Sequence, residues 1–276
     1  MYRYLLKRTI ALQIMKTLLT YTFLVILLIG CKNEHHLTLA PKKILGEECS
    51  SCPKVSIVIP EVLENSKVAD NINNSILEEV VSLLIFEETE GVETSTITRA
   101  IESFKDGYTE MTRLYDDEDE SWEANIMGKV TYEDKNTLTI SLDSYLFTGG
   151  AHGYSSKRFL NFNKNNGAEL ENWQLFTNSN DFRKFAEAKF RLQEKIPEDK
   201  PINHTGFMFE KDSFYLPENI GFTQKGVQLL YNQYEVASYA DGPIELVLPY
   251  SEVMKYLRTK IKYEGLISST SFEETE

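Results

Sequence analysis

Around Trp122 the hydrophobic period of this 276-residue chain changes from that of a helix to that of a strand. Upstream, Val68, Ile72, Ile76, Val80 and Leu84 recur every four residues and form one stripe on a helix face. Ile97, Ile101, Phe104, Tyr108, Met111 and Tyr115 alternate spacings of four and three and give a second amphipathic helix. Downstream the period is two. Residues 122–130 and 138–147 read as strands joined by the polar turn Glu133-Asp134-Lys135-Asn136. Such a chain cannot be a helical bundle, nor a sandwich built from strands alone.

The remaining elements follow the same logic. Val55, Ile57 and Ile59 alternate toward Pro60 as an entry strand, and residues 157–163 form another strand, closed by Asn165-Asn166-Gly167. Phe182, Phe185, Ala186 and Leu192 mark a third helix, with Ser179 or Asn180 as cap and Pro197 beyond its end. Residues 207–210, 227–231 and 244–248 read as strands. Pro249 and Ser251 open a last helix through Val253, Met254 and Leu257. The expected fold is α+β, a mostly antiparallel sheet with about four helices, arranged as two small α+β subdomains packed together.

The N-terminus carries a different signal. Residues 18–29 are apolar apart from Thr20, Tyr21 and Thr22, follow Lys16, and end in Leu28-Ile29-Gly30-Cys31. That run is shorter than the roughly 18–20 residues needed to span a bilayer. Its order of charge, apolar run, small residue and cysteine is that of a bacterial lipoprotein signal. Cys31 is the expected site of lipid attachment (a palmitate-type acyl anchor), and the chain is expected at the cell envelope, facing periplasm or exterior. Met15 is an alternative start. Residues 1–30 hold Arg3, Lys7, Arg8 and Lys16 and no acid, so removing these four positive charges takes the net charge from −13 to −17. A chain this acidic repels nucleic acid and favours cationic partners.

Cys49 and Cys52, spaced Cys-Ser-Ser-Cys, remain after Cys31. In an exported chain a pair this close reads as a local disulfide, with free thiols or a redox pair as alternatives. The domains expected are 1–30 signal peptide, 31–52 tether, 53–158 N-terminal module, 159–263 C-terminal domain, and 264–276 loose tail.

Two signatures stand out. One is Tyr145-Leu146-Phe147-Thr148-Gly149-Gly150-Ala151-His152-Gly153. The other runs from Phe214-Tyr215-Leu216-Pro217-Glu218-Asn219-Ile220 through Gly226 and Leu230-Tyr231-Asn232-Gln233-Tyr234-Glu235-Val236-Ala237-Ser238-Tyr239-Ala240-Asp241-Gly242 to Val247-Leu248-Pro249-Tyr250. Together they resemble the extracytoplasmic region of the RsiV-like family, whose namesake is a lysozyme-sensing anti-sigma factor. The earlier half, with Ile57-Val58-Ile59-Pro60 and Ile72-Asn73-Asn74-Ser75-Ile76, looks like the PdaC-type module found ahead of a peptidoglycan deacetylase domain. The resemblance covers roughly residues 53–258 and implies the shared envelope-facing part, without either output domain.

Candidate ligand-binding residues are Gly149, Gly150, His152, Gly153, Tyr231, Tyr234, Glu235 and Tyr239. The glycines permit left-handed turns around His152, and strand alternation buries one of Tyr234 and Glu235 and exposes the other. A buried Glu235 needs a partner, His152 or Arg158. Asp116-Asp117-Glu118-Asp119-Glu120 is a solvated loop or a landing patch for a cationic protein. The histidines His35, His36, His152 and His204 have no metal-ligand spacing, and no phosphate loop, dinucleotide fingerprint or Gly-x-Ser-x-Gly elbow occurs, so no metal or cofactor is expected. The leading expectation is a lipid-anchored envelope protein that binds peptidoglycan fragments or a cationic cell-wall enzyme such as lysozyme. The alternatives are a cell-wall hydrolase or deacetylase using His152 and Glu235 as acid and base, and a structural lipoprotein.

Overall fold

The computed structural model describes residues 37–46, 52–85, 96–115, 121–259 and 261. Cys31, Cys49, the run 116–120, the leader and the tail 264–276 lie outside them. No described helix is long and apolar enough to cross a membrane.

The order of elements is β1 (Leu39–Leu45), β2 (Lys54–Val62), α1 (Lys67–Leu84), α2 (Ile97–Leu114), β3 (Glu123–Glu133), β4 (Thr137–Phe147), β5 (Tyr154–Asn163), α3 (Asn172–Leu175), α4 (Ser179–Gln193), β6 (Asn219–Phe222), β7 (Val227–Tyr231), β8 (Ile244–Leu248) and α5 (Tyr250–Val253). The strands form a five-stranded sheet ordered β1-β2-β3-β4-β5 and a three-stranded sheet ordered β6-β7-β8. Every pairing is antiparallel except β2 with β3, between which the chain makes α1 and α2. The fold is therefore the α+β arrangement expected.

The two helical stripes do what their spacing implies. Ser66 caps α1 through the Ala69 amide, Thr96 caps α2 through the Arg99 amide, and both helices lie on one face of the large sheet. Ile72, Ile76, Val80 and Leu84 are buried there against Ile57, Ala124, Ile126 and Leu142, with Trp122 beside Phe104 and Tyr108. Each such aliphatic side chain contributes about 1.5–3 kcal/mol by leaving water. Asn73 explains its place in the Ile72-Asn73-Asn74-Ser75-Ile76 motif. Its amide accepts from the Val62 N–H and donates to the Val62 carbonyl, both at 2.9 Å, clasping the end of β2 to α1.

The other face of the large sheet is half covered by the second core, in which Phe190 meets Phe207, Phe209, Phe214 and Tyr231. A β-bulge at Thr131 links the two cores. Val130 pairs with Ile140, but Tyr132 pairs with Thr139. The extra residue turns Tyr132 away from the helices and into the second core, against Phe222 and Tyr250. Polar contacts also join the sheets. Thr131 Oγ1 donates to the Phe222 carbonyl (2.9 Å), and Asn161 Nδ2 donates to the Ile220 carbonyl (2.7 Å) while its Oδ1 accepts from Thr139.

The structure corrects several expectations. The tether assigned to 31–52 contains β1, an antiparallel edge strand. Pro41, Lys42 and Lys43 disguise it, because proline and lysine are what an unpaired edge tolerates. The boundary at 158/159 falls inside β5. Residues 207–210 are not a strand: Asn203 bonds both the Phe209 N–H and its carbonyl, taking the groups a ladder would use. The short strand in that region is β6 instead. Asn178, not Ser179 or Asn180, caps α4, and Leu192 is exposed while Phe190 continues the buried stripe.

Candidate functional site

The two signatures meet. After β4 the backbone turns through Gly149 (φ 92°) and Gly150 (φ 85°), a left-handed path that side chains with a Cβ rarely take. Gly153 makes room for a neighbour: a Cβ there would lie 2.5 Å from the outer end of the Tyr145 ring, which would have to shift. His152 is exposed, and its ring stacks on Tyr239 with centroids 4.1 Å apart and planes 18° apart. The Tyr239 hydroxyl donates to the Gly153 carbonyl (3.4 Å), Tyr234 tilts against Tyr239 (5.5 Å), and the Tyr154 hydroxyl donates to the Gln233 carbonyl (3.5 Å). Asn232 ties the second segment to the outer edge of β5. It accepts from the Lys157 N–H (2.9 Å) and donates to the Lys157 carbonyl (3.1 Å), imitating a strand neighbour.

Beside this junction the uncovered half of the large sheet forms an open groove of about 590 Å³. Its floor is two cross-strand rows, Asn125–Tyr145–Ser155 and Met127–Asp143–Lys157. Its wall comes from Leu230, Asn232, Gln233, Pro243 and Glu245. Tyr145 belongs both to the floor and to the contact with Gly153. Charges alternate from a residue beside the groove, across its floor, to its wall: Lys129 meets Asp143 at 3.0 Å, Asp143 meets Lys157 at 3.4 Å, and Lys157 meets Glu245 at 3.7 Å. Met127 and Tyr145 are exposed apolar surface between these charges. Gln233 Oε1, in the wall, has no hydrogen-bond partner among the described residues.

Among the sequence candidates, Gly149, Gly150, His152, Gly153, Tyr234, Glu235 and Tyr239 gather at this rim. Tyr231 does not. It is fully buried in the second core, its hydroxyl donates to the Tyr215 carbonyl, and burial drives its pKa far up, with Tyr215 and Glu235 adding to the shift. Tyr234 and Glu235 do not alternate, because Tyr234 sits in a left-handed turn (φ 69°) and both residues reach solvent. Arg158 faces Glu79 at 3.6 Å, not Glu235. The Glu235 carboxyl is bonded by Asn232. Desolvation raises its pKa above the ordinary carboxylate value, the Asn232 hydrogen bonds oppose the rise, and Glu218 adds to it. His152 and Glu235 thus have separate partners, and the contact with His152 expected of a buried Glu235 is not formed. Cys52 is disulfide-bonded. Among the described residues no group of three or more His, Cys, Asp or Glu is placed to hold a metal ion.

The groove residues Asn125, Met127, Asp143, Lys157, Asn232 and Gln233 were not singled out from sequence. Two signals pointed to them. Met127 occupies the solvent parity of β3, and Asp143 is the single charge in the eleven residues of β4.

Two family models match the chain: Deacetylase PdaC over residues 47–155, and a protein of unknown function, DUF3298, over residues 174–251. The PdaC-type likeness of the first half is thereby shown, and the second half is shown to be DUF3298-like. No curated protein matches. Two solved structures share the fold. A DUF3298-family member from Bacteroides fragilis is 20% identical with a TM-score of 0.64, over 83% of this chain and 96% of that one. A DUF3298-family protein from Pseudomonas aeruginosa is 20% identical with a TM-score of 0.54, over 82% of this chain and 95% of that one.

Proposed function

We propose that this chain is a cell-envelope binding protein, held to a membrane by a lipid on Cys31, and that it takes peptidoglycan fragments in the β3–β5 groove. The observation that carries the reading is the convergence of two distant signatures on the rim of one open, concave surface. The chemistry of the groove suits such a ligand. A wall fragment combines sugar rings with a short peptide bearing both amine and carboxylate groups. Tyr145 and Met127 offer apolar faces to the rings, while the alternating Lys129, Asp143, Lys157 and Glu245 offer a partner for either sign of charge. The PdaC and DUF3298 matches support the envelope setting.

A second reading, a cationic protein such as lysozyme as partner, is favoured by the net charge of −13. Catalysis by His152 and Glu235 is disfavoured because neither residue lines the groove, and a purely structural role by the groove itself.

Calorimetry of the full chain with purified muropeptides and, separately, with lysozyme tests the proposal. Saturable heat with muropeptides, reduced by Tyr145→Ala and by Asp143→Ala, is expected. Heat with lysozyme alone moves the assignment to the second reading, and silence with both removes it.

A further inference from the structure

The chain has two tryptophans with opposite fates: Trp122 is 1% exposed and Trp173 is 63% exposed. An indole carries a large apolar surface, and a fold that leaves one in water places it there at a cost. Trp173 is nevertheless held on a well-fixed element. It lies on α3, a single turn closed by reciprocal bonds between Glu171 and Gln174. Asn172 Nδ2 anchors that turn to the Glu218 carbonyl (2.7 Å), Leu175 is buried beneath it, and the Arg258 N–H bonds the Leu175 carbonyl (2.9 Å).

The indole lines an open cavity of about 460 Å³ that shares no residue with the β3–β5 groove. The polar lining residues include Asn136, Asn163, Asn165, Gln174 and Arg258. Among the described residues no Asp or Glu lines it, in a chain whose acids outnumber its Lys and Arg by 42 to 29. Several of these groups are pre-oriented. Gln174 Oε1 accepts from the Glu171 N–H (2.8 Å), which fixes its amide while leaving the NH₂ for another acceptor. Asn163 Oδ1 accepts from the N–H and the side chain of Asn165 (both 3.0 Å), and Arg258 spends one nitrogen on the Phe176 carbonyl (3.3 Å).

An exposed aromatic face beside Asn and Gln residues and one cation, with no carboxylate among the described lining residues, selects for a ring with an apolar CH face and a hydroxyl- or acylamide-bearing edge. We propose that this cavity is a saccharide-binding site, in which a pyranose lies on Trp173 and its polar edge meets the amides, with Arg258 taking a carboxylate when the sugar carries one. The volume is that of a small-ligand pocket. The site is independent of the groove reading: either could fail and leave the other standing.

The two tryptophans make the test direct. The full chain is titrated with the trimer of N-acetylglucosamine and with trigalacturonic acid while acrylamide quenching of tryptophan emission is followed. Trp122 is the shielded reference. Saturable protection of the quenchable fraction is expected. By calorimetry, Trp173→Ala is expected to weaken binding of both probes about tenfold, and Arg258→Gln to weaken trigalacturonic acid selectively. Asp143→Ala in the groove is expected to leave both titrations unchanged. The shielded Trp122 emission reports that each variant is folded, and Asn136→Ala, whose side chain has no part in closing the Trp173 turn, gives a second route, its loss of affinity leaving the indole in place. No protection by either probe at about 10 mM, or affinity unaltered by Trp173→Ala, overturns the proposal.

Discussion

Gly221 is where the small sheet rests on the large one, and Gly221→Ala tests that apposition. A Cβ at this position would lie 2.3 Å from Phe159 Cγ, 2.4 Å from its Cδ1 and 2.8 Å from its Cβ. Carbon atoms in good contact sit about 3.5–4.0 Å apart, so the new methyl intrudes by about 1 Å or more. Backbone strain does not confuse the reading, because Gly221 is not among the glycines with positive φ. Nor can the Phe159 ring swing aside freely, since it is 4% exposed and the clash includes its own Cβ. Overpacking of this kind costs about 1–3 kcal/mol. With a urea m-value of about 3 kcal/mol/M, the unfolding midpoint falls by roughly 0.3–1 M. Phe159→Ala alone is expected to cost about 3–5 kcal/mol through the cavity it leaves. In the double variant the methyl introduced by Gly221→Ala enters that cavity, so the two costs are less than additive by about 1–2 kcal/mol. A Gly221→Ala midpoint equal to that of the parent, or strict additivity in the double variant, would refute this account of how the sheets meet.

Other outcomes follow from single residues. Asn232→Ala strips both backbone partners from Lys157 and is expected to destabilise the fold by about 1–3 kcal/mol, with faster amide exchange at Lys157 by NMR as the local readout. For Glu235, the folded-state pKa is raised, mainly by desolvation, so the native state holds its proton more tightly than the unfolded chain. Stability therefore falls as pH climbs from the ordinary carboxylate pKa through the raised one. Glu235→Gln should flatten that decline in denaturation curves taken at a series of pH values, with no gain at the most acidic pH; an unchanged slope would show the carboxyl to be unperturbed. Cys31→Ala is expected to abolish incorporation of radiolabelled palmitate and shift the chain from the membrane fraction to the soluble one, and unaltered labelling would end the lipid-anchor proposal.

Much of the fold was legible because local patterning and tertiary environment agree. The stripe from Val68 to Leu84 makes a helix because one face is buried, and the period-two run through β3 and β4 makes strands because one side of β3 meets the helices. Reading failed where a side chain substituted for the backbone. Asn203 satisfies Phe209 and leaves an aromatic pair with no ladder to join, and Asn232 serves as a strand neighbour without being in a strand. The rim of the candidate site was visible as glycines and tyrosines in two motifs. The groove floor was not, because Asn125, Met127, Asp143 and Lys157 are ordinary residues on ordinary strands. They become a surface only when register sets them side by side.

The class of fold, the helix faces and most strand positions are written in local patterning, since each depends on neighbours within about ten residues and on the period at which apolar side chains repeat. The site arises from long-range packing. The bulge at Thr131 sends Tyr132 into the opposite core, Gly221 admits Phe159, and the small sheet therefore covers one half of the large sheet and leaves the other half open. Pairings of this kind join residues tens of positions apart, and a one-residue shift in any of them would exchange the buried side chains for the exposed ones.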